Sequence, residues 1–150
     1  MKIADMLKRE NVSIVSSVET WEDAIRLAVK PLAEGGYVEP RYADEIIRAT
    51  NEMGPYYVLT EEVALIHGRP EDGAIKGQLA VTLLREPIRF EEDGFDVRLL
   101  VTLAAEDANS HIDAMRVLAS IFMDQDKIDE IVAMETADEV FQAFLDGAEA

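Results

Sequence analysis

The sequence contains no cysteine, and its 150 residues include only two histidines. Without cysteine the chain forms no disulfide, no thiolate zinc site and no cysteine nucleophile, which fits a cytoplasmic protein. No apolar run approaches the ~20 residues of a membrane span, so we expect no membrane insertion. Residues 1–11 mix charged side chains with apolar ones at helical spacing, unlike the apolar core of a signal peptide.

Basic residues are scarce as well. Fourteen lysines and arginines stand against 31 acidic residues, which gives a formal net charge of −17. Such a charge repels nucleic acid and anionic lipid, so we expect no nucleic-acid binding. It would attract basic protein partners, but the same charge can serve solubility alone, and the sequence leaves both interpretations open.

Familiar catalytic motifs are also missing. The chain has no Gly-x-Ser-x-Gly elbow and neither of the phosphate loops Gly-x-x-x-x-Gly-Lys and Gly-x-Gly-x-x-Gly. These absences disfavour a serine hydrolase and a nucleotide kinase of familiar type. A metal site stays open as an alternative, but His67 and His111 are far apart in sequence, and we predict neither metal nor cofactor.

Hydrophobic patterns predict a single α/β domain over residues 1–150. Helical spacing follows Thr20 and Pro40, and β-type runs fill residues 56–105. Two of these runs, 78–84 and 97–104, are almost wholly apolar, as is typical of strands covered on both faces. We therefore predict a mixed β-sheet sandwiched between helices.

Turn and capping signals refine this prediction. Asp93-Gly94 indicates a hairpin turn between the runs 88–90 and 97–104. Ser110 and Thr136, each followed three residues later by an acidic residue, predict helix starts, and Asp124 predicts a short helix between them.

His67 is the strongest candidate for chemistry. It follows the apolar run Val63 to Ile66 and precedes Gly68 and Pro70, a pattern that places a histidine at a strand end where the chain enters a loop. Loops carried by a rigid sheet often hold catalytic side chains. The alternative is a surface-loop histidine without a role.

His111 is the second candidate, one residue after the predicted cap Ser110. A helix N-terminus favours an anion such as phosphate and lowers the pKa of a nearby imidazole. The alternative is a histidine packed against the core. These pieces fit a histidine that is phosphorylated on one ring nitrogen while a hydrogen bond holds the other. His111, Ser110, Arg69 and Arg48 are candidates to stabilise the phosphoryl group.

Five segments resemble one known family in order along nearly the whole chain. They are Thr20–Ala24, Val38–Tyr42, Gly54–Leu59, Leu65–Gly73 and Ala104–His111. The chain resembles the enzyme IIA component of the fructose/mannitol-type sugar phosphotransferase system, most closely its ascorbate-specific branch. One departure is Ile66, since the family usually has proline directly before the active histidine.

The resemblance implies a phosphotransferase that carries phosphohistidine in the cytoplasm and has the fructose/mannitol-type enzyme IIA fold. His67 would accept phosphate from the phosphocarrier protein HPr and pass it to a cysteine of an enzyme IIB, which serves a membrane IIC permease. His111 would be the second catalytic residue, beside His67, and Arg48 and Arg69 weaker phosphate-stabilising candidates. Ascorbate or a related carbohydrate would be the transported sugar.

Two questions stay open at this point. The alternative function is a regulatory module in which phosphorylated His67 controls a partner protein without sugar transport. The aromatic residues Trp21, Tyr37 and Tyr56 could line a homodimer interface, although isolated aromatics more often belong to the core or its rim.

Overall fold

A computed structural model describes residues 3–149 of the chain, except for the side chains of Ala108, Ser110, His111, Asp113, Ala114, Val117 and residues 147–149. The elements, in chain order, are α1 Ile3–Met6, β1 Leu7–Val15, α2 Trp21–Glu34, α3 Arg41–Met53, β2 Val58–Thr60, β3 Glu62–His67, a 3-10 turn Pro70–Asp72, β4 Gln78–Ile88, β5 Val97–Ala104, α4 Ala108–Phe122, α5 Gln125–Val132 and α6 Ala137–Glu149. Within residues 3–149, none of the helices is long and apolar enough to cross a membrane.

The strands form one mixed sheet in the order β1-β4-β5-β3-β2. β1 is parallel to β4 and β3 is parallel to β5, whereas the pairs β4–β5 and β2–β3 are antiparallel. Because β3 and β5 run in the same direction, their carboxyl ends meet at one edge of the sheet, where His67 pairs with Leu103. In open α/β sheets this edge commonly holds the functional site.

Helices cover both faces of the sheet, as the apolar runs predicted. Ala64 and Ile66 of β3 pack in a buried cluster with residues of α2 and α3. Val63 and Leu65, which alternate with them, pack in a second cluster with residues of α1, α4, α5 and α6. Successive side chains of a strand point to opposite faces, so a strand that is apolar throughout is buried on both. The predicted sandwich is confirmed.

Several helix boundaries follow from local chemistry. The Thr20 hydroxyl accepts a hydrogen bond from the Asp23 amide at 3.1 Å at the start of α2, and Thr136 accepts one from the Glu139 amide at 3.2 Å at the start of α6. α3 ends at Gly54, whose φ of +82° is a backbone conformation that glycine adopts without a steric penalty. These boundaries agree with the sequence prediction.

The structure of the amino-terminal region differs from the sequence prediction. Its apolar residues are at helical spacing, but only Ile3–Met6 are helical, and Leu7–Val15 form the edge strand β1. In the pairing with β4, Leu7 lies opposite Leu79 and Val12 opposite Val81, so β1 bulges between these two pairs. The charged residues of the bulge, Lys8 to Glu10, are exposed and interrupt the alternation that would have indicated a strand.

Two further boundaries differ from the prediction. Residues 88–90 are not a separate strand, because β4 continues to Ile88, which pairs with Val97, and the predicted hairpin therefore joins β4 to β5. α4 begins at Ala108, so Ser110 lies inside its first turn and is not its cap. Asparagine and serine are common helix caps, but they also occur within the first turn of a helix. When several such residues stand together, the sequence does not show which one is the cap.

Candidate functional site

His67 is the last residue of β3, at the edge of the sheet where the chain leaves for a short loop. The strand ladder with β5 positions its backbone, and Gly68 follows it where a Cβ would have tight contacts. A Cβ on Gly68 would lie 3.1 Å from Asp72 Oδ2 and 3.3 Å from Tyr42 Cε1. Glycine at this position therefore lets the loop turn closely over α3.

The His67 ring is held in one tautomer. Its Nδ1 lies 2.7 Å from the carbonyl oxygen of Leu65. A carbonyl oxygen only accepts hydrogen bonds, so Nδ1 carries the proton and Nε2 has the lone pair of the neutral ring. Burial lowers the pKa of His67 from its ordinary value of 6.5, although the bond to Leu65 acts in the opposite direction. The ring is therefore mostly neutral at pH 7, with its proton on Nδ1.

A cavity of about 320 Å³ adjoins His67. Its walls come from α3, from the loop after β3 and from the start of α4, and are largely apolar; the lining residues are Ala49, Met53, Tyr56, His67, Gly68, Arg69, Pro70, Asp72 and Ile112. Met53 and Ile112 are well exposed, at 69% and 53%. The site is thus an apolar recess in the surface with a histidine at its edge.

The first turn of α4 reaches this cavity. Ile112 lines it, so the backbone next to it in sequence lies near His67. Ser110 and His111 belong to this turn, but their side chains lie outside the described residues. The structure thus places residues near the start of α4 and the end of β3 around one cavity.

Two tyrosines contact the backbone at His67, and the sequence prediction did not assign them to the site. The Tyr56 hydroxyl donates to the carbonyl oxygen of His67 at 2.7 Å, and its ring lies edge-on to the imidazole with centroids 5.3 Å apart. The buried Tyr42 hydroxyl accepts from the Gly68 amide at 2.9 Å and donates to the Leu103 carbonyl at 2.8 Å. Both tyrosines lie in the segments Val38–Tyr42 and Gly54–Leu59 singled out above.

Arg69 lines the cavity, but acidic neighbours in its own loop engage its guanidinium. Arg69 Nη2 lies 3.1 Å from Asp72 Oδ1, and Nε lies 3.5 Å from Glu71 Oε1. Asp72 also accepts from the Arg69 amide at 2.9 Å. Burial raises the pKa of Asp72, but its hydrogen bonds from Arg69 outweigh this effect and leave the pKa below its ordinary value. Asp72, another residue that the prediction missed, organises this loop.

Arg48 lies beside the site. Among the described residues it lines an adjoining groove that shares Ala49, Met53 and Arg69 with the His67 cavity, and it does not line that cavity itself. Its guanidinium pairs with Glu45 on the same helix face. Of the two predicted arginines, Arg69 is therefore the one at the cavity wall.

In the part of the chain that the structure describes, no three His, Asp or Glu side chains are grouped so that they could hold a metal ion. The chemistry accessible to the described site is that of a neutral imidazole at an apolar recess, next to a helix N-terminus.

Comparison with known proteins gives a consistent set of relatives. Residues 5–147 match the family model described as "Phosphoenolpyruvate-dependent sugar phosphotransferase system, EIIA 2". The ascorbate-specific PTS system EIIA component of Shigella boydii is 37% identical over 143 residues, which cover 93% of both chains.

Solved structures agree with this similarity. The mannitol-specific cryptic phosphotransferase enzyme IIA CmtB of Escherichia coli is 28% identical with a TM-score of 0.91, covering 97% of this chain and 99% of its own. Enzyme IIAMTL of Escherichia coli, in a complex with phosphorylated enzyme IIBMTL, is 30% identical with a TM-score of 0.80, covering 93% of this chain and 98% of its own.

Proposed function

The chain belongs to the EIIA 2 family of the phosphoenolpyruvate-dependent sugar phosphotransferase system, and from this premise we propose that His67 is the residue that carries the phosphoryl group. Members of this family are phosphotransferase components that carry phosphohistidine. The observation that supports His67 is its half-buried ring, in which Nδ1 is bound to the Leu65 carbonyl at 2.7 Å, so that Nε2 carries the lone pair that would attack phosphorus.

The acceptance step begins with phosphorylated HPr docked over the apolar recess. The lone pair of His67 Nε2 attacks the phosphorus in line, a new N–P bond forms, and the N–P bond to the HPr histidine breaks, returning its electron pair to that ring. Such a transfer needs positioning and charge stabilisation more than acid–base chemistry. His67 Nδ1 keeps its proton throughout, and the Leu65 carbonyl stabilises the positive charge that the ring gains.

Stabilisation of the phosphoryl oxygens falls to the groups around the recess. The first turn of α4, with Ser110 and His111, offers backbone N–H groups and the positive end of a helix dipole. His111 would donate to a phosphoryl oxygen. Arg69 at the cavity wall is the nearer of the two arginines, and Arg48 would have to leave Glu45 to take part.

In the second step, His67 passes the phosphoryl group to an enzyme IIB. A cysteine thiolate of an enzyme IIB attacks the phosphorus, the N–P bond to Nε2 breaks, and His67 returns to its neutral form. Enzyme IIB in turn serves a membrane IIC permease, so the reaction would take place in the cytoplasm. The transported compound would be ascorbate or a related carbohydrate, a choice supported by the 37% identity to an ascorbate-specific component.

The test is phosphorylation with phosphoenolpyruvate, enzyme I and HPr, followed by intact-protein mass analysis. We expect one acid-labile phosphoryl group on the wild type, none on His67→Ala, and slower labelling of a folded His111→Ala variant. Labelling of His67→Ala at the wild-type rate would exclude His67 as the acceptor. Onward transfer to an ascorbate-type but not a mannitol-type enzyme IIB would support the branch assignment, and transfer to neither would favour the regulatory module.

A further inference from the structure

Both polar atoms of one peptide bond, between His67 and Gly68, are held by tyrosine hydroxyls. The carbonyl oxygen of this peptide accepts from the Tyr56 hydroxyl at 2.7 Å, and its N–H donates to the Tyr42 hydroxyl at 2.9 Å. Tyr42 is itself anchored, because its own proton goes to the Leu103 carbonyl at 2.8 Å. The peptide after the histidine is therefore connected on one side to the loop before β2 and on the other to α3 and β5.

Without these contacts this peptide would be the least restrained part of the strand end. Glycine has the widest choice of backbone conformations, and Gly68 follows His67 directly. The residue before the histidine, Ile66, has no ring to fix its φ. Displacement of the His67–Gly68 peptide would move the His67 Cα to which it is bonded, and the imidazole would then shift relative to an incoming phosphorus.

The two tyrosines differ in their surroundings. Tyr42 is buried, at 1% exposure, in the core layer under α3, whereas Tyr56 is 37% exposed and lies beside the imidazole. Burial raises the pKa of each hydroxyl to about 12, so both stay protonated and can donate at neutral pH. One contact is thus part of the scaffold, and the other is at the wall of the recess.

We infer that Tyr42 and Tyr56 are positioning residues for phosphoryl transfer: they hold the His67–Gly68 peptide so that His67 Nε2 meets the phosphorus in line. This inference rests on the proposed function of His67. A misplaced nucleophile lowers the rate of an in-line transfer steeply, because the barrier depends on the alignment of the reacting atoms.

The chain offers a matched control, Tyr57. Its buried hydroxyl lies 2.8 Å from Thr50 Oγ1, its ring packs edge-on against Tyr56, and it makes no hydrogen bond to the His67–Gly68 peptide. Tyr57→Phe therefore removes a buried hydroxyl of the same kind, from the next residue in sequence, while leaving that peptide untouched.

The experiment measures single-turnover acceptance from phosphorylated HPr by Tyr42→Phe, Tyr56→Phe, the double variant and Tyr57→Phe, each shown to be folded by thermal melting. We expect Tyr42→Phe and Tyr56→Phe each to slow the maximal rate about 10-fold. The double variant should lose less than the product of the two, because both hydroxyls act on one peptide. Tyr57→Phe should transfer within about twofold of wild type, even if it is as destabilised as Tyr42→Phe.

A second measurement separates positioning from docking. Tyr42 is buried and cannot touch HPr, so Tyr42→Phe should lower the maximal rate and leave the half-saturating HPr concentration unchanged. The inference is overturned if Tyr42→Phe and Tyr56→Phe transfer as fast as Tyr57→Phe, or if only the half-saturating concentration changes. A wild-type protein that accepts no phosphoryl group would instead defeat the proposed function, and the inference with it.

Discussion

Asp72→Ala is predicted to destabilise the fold through the loop that follows His67. Asp72 is 7% exposed, and its Oδ2 accepts the Arg69 backbone N–H at 2.9 Å. Alanine leaves that half-buried N–H without this acceptor, which costs about 1–3 kcal/mol. The Arg69 guanidinium is 69% exposed and returns to water, so loss of the ion pair adds little. Asp72→Asn keeps an oxygen for the N–H and should lose about 1 kcal/mol.

The assay is urea unfolding at pH 7, followed by the fluorescence of Trp21, with linear extrapolation of the free energy. Glu71→Ala is the control, because Glu71 faces the same guanidinium at 3.5 Å but is 65% exposed. It should unfold at the wild-type urea concentration. Equal destabilisation by Asp72→Ala and Glu71→Ala would refute the argument, since it would assign the effect to the ion pairs and not to the backbone hydrogen bond.

The pH dependence of this difference has a definite sign. The folded-state pKa of Asp72 is depressed, so its carboxylate contributes stability above the unfolded-state pKa of about 3.9. That contribution is lost as the pH falls through the lower folded-state pKa. The stability difference between wild type and Asp72→Ala should therefore narrow at pH 3, and a difference that grew on acidification would contradict the assignment.

Three further predictions concern the histidine, the glycine after it and the far end of the sheet. The rate of phosphoryl acceptance by His67 should be constant from pH 8 to 7 and fall only below pH 6.5, the ordinary pKa of histidine. The reason is that burial lowers the pKa of His67 and the neutral ring is the proposed nucleophile. Transfer rates measured from pH 8 to below pH 6.5 test this. Gly68→Ala should destabilise the fold by about 1–3 kcal/mol in urea unfolding, since its Cβ meets tight contacts on several sides. Arg98→Ala should cost about 1–3 kcal/mol by the same assay, because it leaves the buried Glu62 carboxylate unpaired.

Each of these three predictions has a control. A fall in acceptance that begins above pH 7 would mean that the His67 pKa is raised. Gly36 has a φ of +81° and open space around it, so Gly36→Ala should lower the stability of the fold and leave the rate of phosphoryl acceptance unchanged. Gly68→Ala should lower both the stability and the rate. Arg89 forms an exposed pair with Asp96, and Arg89→Ala should leave stability unchanged. If Arg98→Ala were as stable as Arg89→Ala, the prediction that an unpaired Glu62 carboxylate is costly would be wrong.

The core strands could be predicted from sequence because their chemistry is local. The apolar runs of β4 and β5 can only be buried on both faces, and the Thr20 and Thr136 caps bond to residues three positions away. β1 could not be predicted, because Lys8, Arg9 and Glu10 occupy a bulge and its pairing partner lies some 70 residues later, at Leu79.

The position of His67 at a strand end was predictable from sequence, and its surroundings were less so. Gly and Pro after a short apolar run indicate a strand end, and this places the histidine at the sheet edge. Tyr42 and Tyr56 make hydrogen bonds to the backbone at residues 67 and 68, and such non-local bonds leave no periodic pattern in sequence. A buried tyrosine needs a partner for its hydroxyl, but sequence does not say which one.

We propose that Nε2 of His67 carries the phosphoryl group. The most direct measurement is nitrogen-15 and phosphorus-31 NMR of the protein labelled with nitrogen-15 histidine and phosphorylated through HPr. We expect a single phosphohistidine, assigned to His67, with phosphorus coupled to Nε2 and a proton still on Nδ1. Coupling to Nδ1 of His67, or a phosphoryl group on His111, would contradict it.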